Sequence, residues 1–287
     1  MTKPPIGRDT RLCMSLSARP GNAGSRFHNR LYELLGLDYV YKSFSTADLP
    51  AAIAGIRALG IRGCAISMPF KEEVIALLDG LEDSARAIDS VNTIVNDGGR
   101  LTGYNTDYTA VRHLLAARRI DPAMPFVLRG SGGMAKAVTA ALRDCGFRNG
   151  SIVARNEAAG RRLAGQYGFA WREHLPPEGA PMLVNVTPLG MEGADGEALA
   201  FPAGQIAACT LAFDVVALPA ATPFIRAAEA AGKAVISGAE VIVLQAVDQF
   251  ALYTGIRPDA AMIADAAAFA HGPATADRIR ALSSANP

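Results

Sequence analysis

Short β-branched and apolar runs alternate with stretches whose apolar residues recur every three or four positions. The first kind, at Leu12–Ser15, Tyr39–Phe44 and Gly63–Met68, predicts strands. Between them, Arg26–Leu35 and Ala47–Leu59 carry the spacing of amphipathic helices. Asn92–Asn96 and Arg100–Tyr104 flank Asp97-Gly98-Gly99, which predicts a hairpin. From about Asp107 the rhythm is more regular. Helices are expected at Tyr108–Arg118, Met134–Asp144 and Glu157–Tyr167. Strands are expected at Phe126–Arg129, Ser151–Ala154, near Phe169–Trp171, and at Met182–Val186, Leu211–Val215 and Ala234–Ile236. Such alternation indicates βαβ units and a parallel sheet. Two helical patterns, Glu240–Tyr253 and Ala260–Ala270, then lead into a polar tail expected to fray. The fold class expected is α/β in two parts with a ligand cleft between them, the last helices packing back on the first part.

Composition narrows the function. Half of the 287 residues are hydrophobic and 19% are charged, which excludes a disordered chain. Lys plus Arg is 28 and Asp plus Glu is 27, so no net field points to nucleic acid or an anionic membrane. The N-terminus lacks a secretory pattern, and the uncharged run Ala198–Phe213 is too short and interrupted to span a bilayer. A cytoplasmic location and a small-molecule substrate are expected, with no membrane or nucleic-acid partner. Cys13, Cys64, Cys145 and Cys209 stand far apart without metal-ligand spacing, so free thiols are expected and no metal site.

Gly130-Ser131-Gly132-Gly133-Met134-Ala135 fits the G-x-G-x-x-G/A fingerprint. It follows an expected strand and opens an expected helix, the context in which glycines bring backbone amides against a pyrophosphate. NAD sites place an acidic residue at the end of the next strand. Here Ala154-Arg155-Asn156 stands there, with no acid between Asp144 and Glu157. A guanidinium suits a 2′-phosphate, so NADP is favoured, with NAD as the alternative. Asn185 and Thr187 fall at the carboxyl end of a parallel strand, the ligand-binding edge, and are candidates for the nicotinamide side.

In the first part, Met68-Pro69-Phe70-Lys71 follows a strand, and Pro69 suits the first turn of a helix. A cation opposed by a helix dipole and partly desolvated yields its proton more readily, as a general base requires, which makes Lys71 a candidate. Asn105-Thr106-Asp107 offers either a helix cap or, through Asp107, an orienting partner for Lys71. Asn92, inside a β-rich run, needs hydrogen-bond partners that either a polyol substrate or neighbouring backbone supplies.

Taken together, these motifs resemble the shikimate dehydrogenase family over nearly the whole chain. The matching pieces are Ser15-Leu16-Ser17, Met68-Pro69-Phe70-Lys71, Val91-Asn92-Thr93 and Asn105-Thr106-Asp107, then the glycine turn. Asn185-Val186-Thr187-Pro188-Leu189-Gly190-Met191, Thr222-Pro223, and Gly238 followed by Gln245-Ala246 complete the set. The resemblance implies a substrate-binding catalytic domain (1–106), a Rossmann NADP domain (107–238) and C-terminal helices (239–287) returning to the first. It implies hydride exchange between shikimate and 3-dehydroshikimate, as in aromatic amino acid biosynthesis, by a monomer or homodimer. Lys71 and Asp107 would be the catalytic pair. Ser15, Ser17, Asn92 and Gln245 would contact substrate; the glycine turn, Arg155, Asn185, Thr187 and Gly238 would serve the cofactor.

Three departures resemble a divergent, shikimate dehydrogenase-like subgroup. Ala18–Phe27 separates Ser17 from His28 where the family usually runs Ser-Pro-x-x-His; Ala217 replaces a substrate-touching Tyr; Val241 replaces a Met. Losing one hydroxyl contact weakens transition-state binding by roughly 1–3 kcal/mol. A quinate-type dehydrogenase, or a dinucleotide-binding regulatory protein with little turnover, is the alternative expectation. Ser25, just before His28, is a candidate replacement for one of the paired serines.

Overall fold

The computed structural model describes residues 3–284 and divides into two units. The first runs to Thr109 and resumes at Val243; the second is Ala110–Ile242.

The first unit contains β1 (Arg11–Leu16), α1 (Ala23–Leu34), β2 (Tyr39–Phe44), α2 (Leu49–Ala58) and β3 (Gly63–Ile66). β4 (Gly80–Leu81), α3 (Asp83–Arg86), β5 (Thr93–Asp97), β6 (Arg100–Tyr104) and the start of α4 (Thr106–Ala117) follow. Its sheet has the order β2-β1-β3-β5-β6-β4. β1 lies parallel between β2 and β3, whereas β5 is antiparallel to β3 and β6. The β5–β6 turn is the expected one: Asp97 pairs with Arg100, and Gly98 and Gly99 have φ of 60° and 94°. A two-residue turn with both central residues at positive φ follows the right-handed twist of the strands, and glycine adopts it without strain. The core under this sheet includes Leu16, Ile53, Ile56, Ile66, Val74, Ile94 and Leu101.

The second unit holds the rest of α4, then β7 (Phe126–Arg129), α5 (Gly133–Asp144), β8 (Gly150–Val153), α6 (Glu157–Tyr167) and β9 (Ala170–Arg172). It continues through β10 (Met182–Asn185), α7 (Ala203–Ala208), β11 (Leu211–Asp214), α8 (Pro223–Ala230) and β12 (Ala234–Ile236). All strand pairs in its sheet are parallel, in the order β12-β11-β10-β7-β8-β9. Strands buried on both faces read as unbroken apolar runs, as β10 does with Met-Leu-Val before its terminal Asn185. The order is that of doubly wound dinucleotide-binding sheets, whose carboxyl edge carries the ligand.

α9 (Gly238–Thr254) begins in the second unit and ends in the first, which α10 (Ala260–His271) and α11 (Pro273–Ser284) complete. α10 packs on α1 and α11, and the Arg30 guanidinium of α1 meets the Asp265 carboxylate of α10 at 2.5 and 3.1 Å. Tyr253 lies on β3 so closely that a Cβ on Gly63 would fall 2.2 Å from its ring. Beside it, His28 is fully buried, stacked 4.4 Å from Tyr41, and neither ring nitrogen has a hydrogen-bond partner.

Three expectations are corrected. The tail expected to fray is helix α11, because Ala276, Ile279 and Leu282, three residues apart, bury one face. The Ala18–Phe27 stretch, expected to be a loop, is one only as far as Asn22, since α1 already begins at Ala23. No α-helix starts at Lys71: after the cis Met68–Pro69 bond the chain turns into a five-residue 3₁₀ segment, Glu73–Leu77. No helix dipole therefore acts on Lys71 from this segment.

Candidate active site

In the first unit, chemistry-bearing residues gather at the carboxyl ends of β1 and β3. Ser15 is on β1, with Ser17 just beyond its end. Backbone bonds from Ser67 to the Leu16 carbonyl (3.0 Å) and from Ala18 to the Met68 carbonyl (3.2 Å) tie this segment to the Lys71 turn. The turn is held again where the Val91 amide donates to the Lys71 carbonyl at 2.8 Å. Lys71 Nζ then donates to Asp107 Oδ2 at 2.6 Å. Their side chains are 23% and 12% exposed, so the pair is largely desolvated yet still reachable. An ionised hydrogen bond of this kind is about twice as strong as a neutral one and fixes the lysine's direction.

Asn92 is buried beside this pair, just before β5. Its Oδ1 accepts from the Thr106 amide (2.8 Å), Thr93 Oγ1 (2.8 Å) and Thr106 Oγ1 (3.2 Å), which orients the start of α4. Among the described residues no hydrogen bond uses its Nδ2, and that atom is not sealed from solvent. The amide is thus locked on one side and offers a free donor on the other. Gln245 of α9 joins the cluster through its Oε1, which accepts from Thr106 Oγ1 at 3.3 Å. Gln249, which the sequence reading passed over, lies one turn further on and donates to Thr93 Oγ1 at 3.0 Å. Ser25 is placed elsewhere: its hydroxyl is 2.9 Å from that of Ser43 on β2.

The second unit presents the glycine turn between β7 and α5. Gly130 has φ 123°, and a Cβ there would lie 2.9 Å from Val186 Cγ2, so glycine is needed by the fold itself. Gly132 and Gly133 differ. A Cβ on either meets nothing within 4 Å, and neither has positive φ. Nothing in the chain demands glycine at these two positions, whereas a group approaching the amides at the start of α5 would. Ser131, Met134 and Ala135 complete the turn and enter the helix, with Ala135 buried. Arg155 stands exposed two residues beyond β8, and Asn156 after it caps α6 by accepting from the Ala159 amide at 3.0 Å. The residues therefore fit a phosphorylated dinucleotide.

Asn185, Thr187 and Gly238 have internal occupations. Asn185 is fully buried, donating to Asp214 Oδ1 (2.9 Å) and the Leu189 carbonyl (3.2 Å). Its Oδ1 accepts from the Thr187 amide (3.1 Å) and hydroxyl (2.6 Å). Both side chains shape the loop after β10, so any part they play with a ligand runs through that loop. A Cβ on Gly238 would sit 2.3 Å from the Val216 carbonyl, so the close approach of α9 accounts for this glycine. Asp214 also receives Thr222 Oγ1 at 2.6 Å and the Val216 amide at 3.0 Å. Burial nevertheless raises its carboxyl to about 6, outweighing those hydrogen bonds.

Buried Glu240 was also missed, although Ser237-Gly238-Ala239-Glu240 has the S-x-x-E form of a capping box. Glu240 Oε2 accepts from the Ser237 amide (2.7 Å) and hydroxyl (2.8 Å), while Oε1 meets Arg118. The four cysteines are free thiols. Among the described residues no cluster of His, Cys, Asp and Glu could hold a metal, and no helix is long and apolar enough to cross a membrane.

Comparison with known proteins identifies the family. Residues 23–94 match the family model described as shikimate dehydrogenase substrate binding domain. A shikimate dehydrogenase-like protein of Haemophilus influenzae is 55% identical over 266 residues, covering 92% of this chain and 98% of its own. A solved shikimate 5-dehydrogenase-like protein superposes with a TM-score of 0.90 at 55% identity, covering 92% of this chain and 99% of its own. The shikimate 5-dehydrogenase of Thermus thermophilus, solved in complex with NADP(H) and shikimate, gives 0.82 at 31% identity, covering 91% and 99% respectively. The α/β architecture, the parallel dinucleotide-type sheet and these relatives lead to one conclusion: the chain belongs to the shikimate dehydrogenase family.

Proposed function

We propose that the chain is an NADP-dependent alcohol dehydrogenase that interconverts shikimate, or a closely related cyclic hydroxy acid, and the corresponding 3-keto acid. The Lys71–Asp107 bond of 2.6 Å carries this reading. Lys71 Nζ exchanges a proton with the reacting hydroxyl, and Asp107 holds the nitrogen in one direction while contributing an acceptor to the same hydroxyl. The Asn92 Nδ2 donor, Ser15, Ser17 and Gln245 bind the other oxygens of the substrate. The glycine turn receives the pyrophosphate of the dinucleotide and Arg155 its 2′-phosphate. When bound, the nicotinamide supplies the site of hydride exchange, and every proton movement belongs to the chain's own residues. The first unit is then the substrate domain and the second the cofactor domain.

The test is absorbance at 340 nm with shikimate, quinate and related hydroxy acids, using the parent and Lys71→Ala. General acid–base catalysis contributes about 10²–10⁴-fold. The variant should lose about that much kcat with little change in KM, because the lysine acts in the transition state. Equal rates for parent and variant would remove Lys71 from the mechanism. Ala217, half-buried after β11 where the family usually has Tyr, supports the second reading, a dinucleotide-binding protein with little turnover. Tight NADP binding with no cyclic hydroxy acid oxidised would favour it.

A further inference from the structure

Arg129 is an unexpected residue for the last position of β7. A central parallel strand is the place for an aliphatic side chain, and Phe126, Val127 and Leu128 before it are buried. Arg129 is half-buried, paired in register with Val153 on one side and Asn185 on the other. One guanidinium nitrogen, Nη1, donates to the carbonyl of Ala200, which anchors the side chain under the segment following β10. None of the other donors of the group has a partner among the described residues, and none is sealed from solvent. Burial lowers its pKa, and the like charge of Arg155 pushes in the same direction. No carboxylate forms an ion pair with either arginine among the described residues.

Two guanidinium groups without acidic partners among the described residues, at the carboxyl ends of adjacent strands and beside an open glycine turn, are an unfavourable arrangement for the chain by itself. Desolvation and like-charge repulsion both oppose it. An anion between them reverses both effects, and a phosphate presents several oxygens to the planar forks of two arginines. We propose that Arg129 is a specificity-determining residue that closes on the 2′-phosphate of the dinucleotide together with Arg155. The inference rests on the reading of the second unit as a dinucleotide site. It adds a second, inner cation to the single one that strand-end reasoning supplies. The bond to Ala200 gives Arg129 a fixed position, whereas Arg155 stands exposed at the rim.

The experiment is fluorescence titration of the full-length protein with NADPH and with NADH, for the parent, Arg129→Gln and Arg129→Lys. A charge-assisted contact of this kind corresponds to roughly 10–100-fold in affinity. Arg129→Gln should raise the Kd for NADPH by about that factor and leave the Kd for NADH within about twofold. Arg129→Lys, which keeps charge but not the fork, should fall between. Its retained NADH binding also certifies that the fold is intact. Equal weakening of both dinucleotides would place Arg129 on their common half and overturn the assignment. Unchanged affinity for both would overturn it as well. If the parent binds neither dinucleotide, the cofactor reading of the whole unit fails, a result distinct from failure of Arg129 alone.

Discussion

His28 makes the stability of the first unit depend on pH in a calculable way. Its imidazole is fully buried against Tyr41 and Phe250, and burial lowers its pKa from 6.5 to about 3. The neighbouring Tyr32, Tyr41, Tyr253, Cys13 and Cys64 are all displaced upward, so none of them titrates between pH 5 and 7. The unfolded chain takes up a proton near pH 6.5 and the folded chain does not until about 3. Stability from this group is therefore complete above 6.5 and is lost as pH falls toward 3. At pH 5 the unfolded state gains RT ln(1 + 10^1.5), about 2 kcal/mol, against about 0.2 kcal/mol at pH 7. For a unit of this size that corresponds to a fall of about 4–8 °C in melting temperature. Asp214 works with the opposite sign. Its raised pKa makes folding cost more as pH rises through about 6, which gives back about 1 kcal/mol on going from pH 7 to 5. The clean measurement is therefore a comparison of the parent with His28→Phe by calorimetry from pH 7 to 5. Phenylalanine keeps the stack, and neither imidazole nitrogen has a hydrogen bond to lose. The variant should lack the 2 kcal/mol slope. Parallel pH profiles, or a native imidazole titrating near 6 by NMR, would refute the reasoning.

Two further substitutions separate binding from folding. Gly132→Ala, into space where no atom lies within 4 Å, should change stability by no more than about 1 kcal/mol while weakening NADPH binding at least about tenfold; unchanged affinity in titration would mean no ligand approaches that amide. Glu240→Gln leaves Arg118 without its carboxylate and should destabilise the protein by about 3 kcal/mol in urea denaturation, and an unchanged midpoint would show the pair to be dispensable.

The parallel strands of the second unit were legible because burial on both faces writes itself as apolar runs. The glycine turn was legible because a strand before it and a helix after it gave the pattern a context. The contact between Lys71 and Asp107 was anticipated from residue type and motif, but no helix dipole acts at Lys71. A β-turn and a 3₁₀ segment share local composition with a helix start, and only tertiary contacts decide among them. The internal occupations of Asn185 and Thr187 were hidden for a similar reason: their partner Asp214 is 29 residues from Asn185 in the chain. Helix α11 was missed because a face of Ala276, Ile279 and Leu282 is too weakly apolar to stand out without α10 to cover it. Arg129 carried a signal, a charge in an aliphatic strand, that drew no attention beside the glycines after it.

The first unit is assembled from both ends of the chain, with Tyr253 capping Gly63 on β3 and α10 seated on α1. Synthesis from the ribosome therefore delivers the middle unit whole while the earlier sheet still lacks its covering helices. For that interval the apolar face awaiting Phe250 and Tyr253 is open to water and to other nascent chains, a hazard for incompletely made proteins. Clipping the last helices would return the finished molecule to the same vulnerable state.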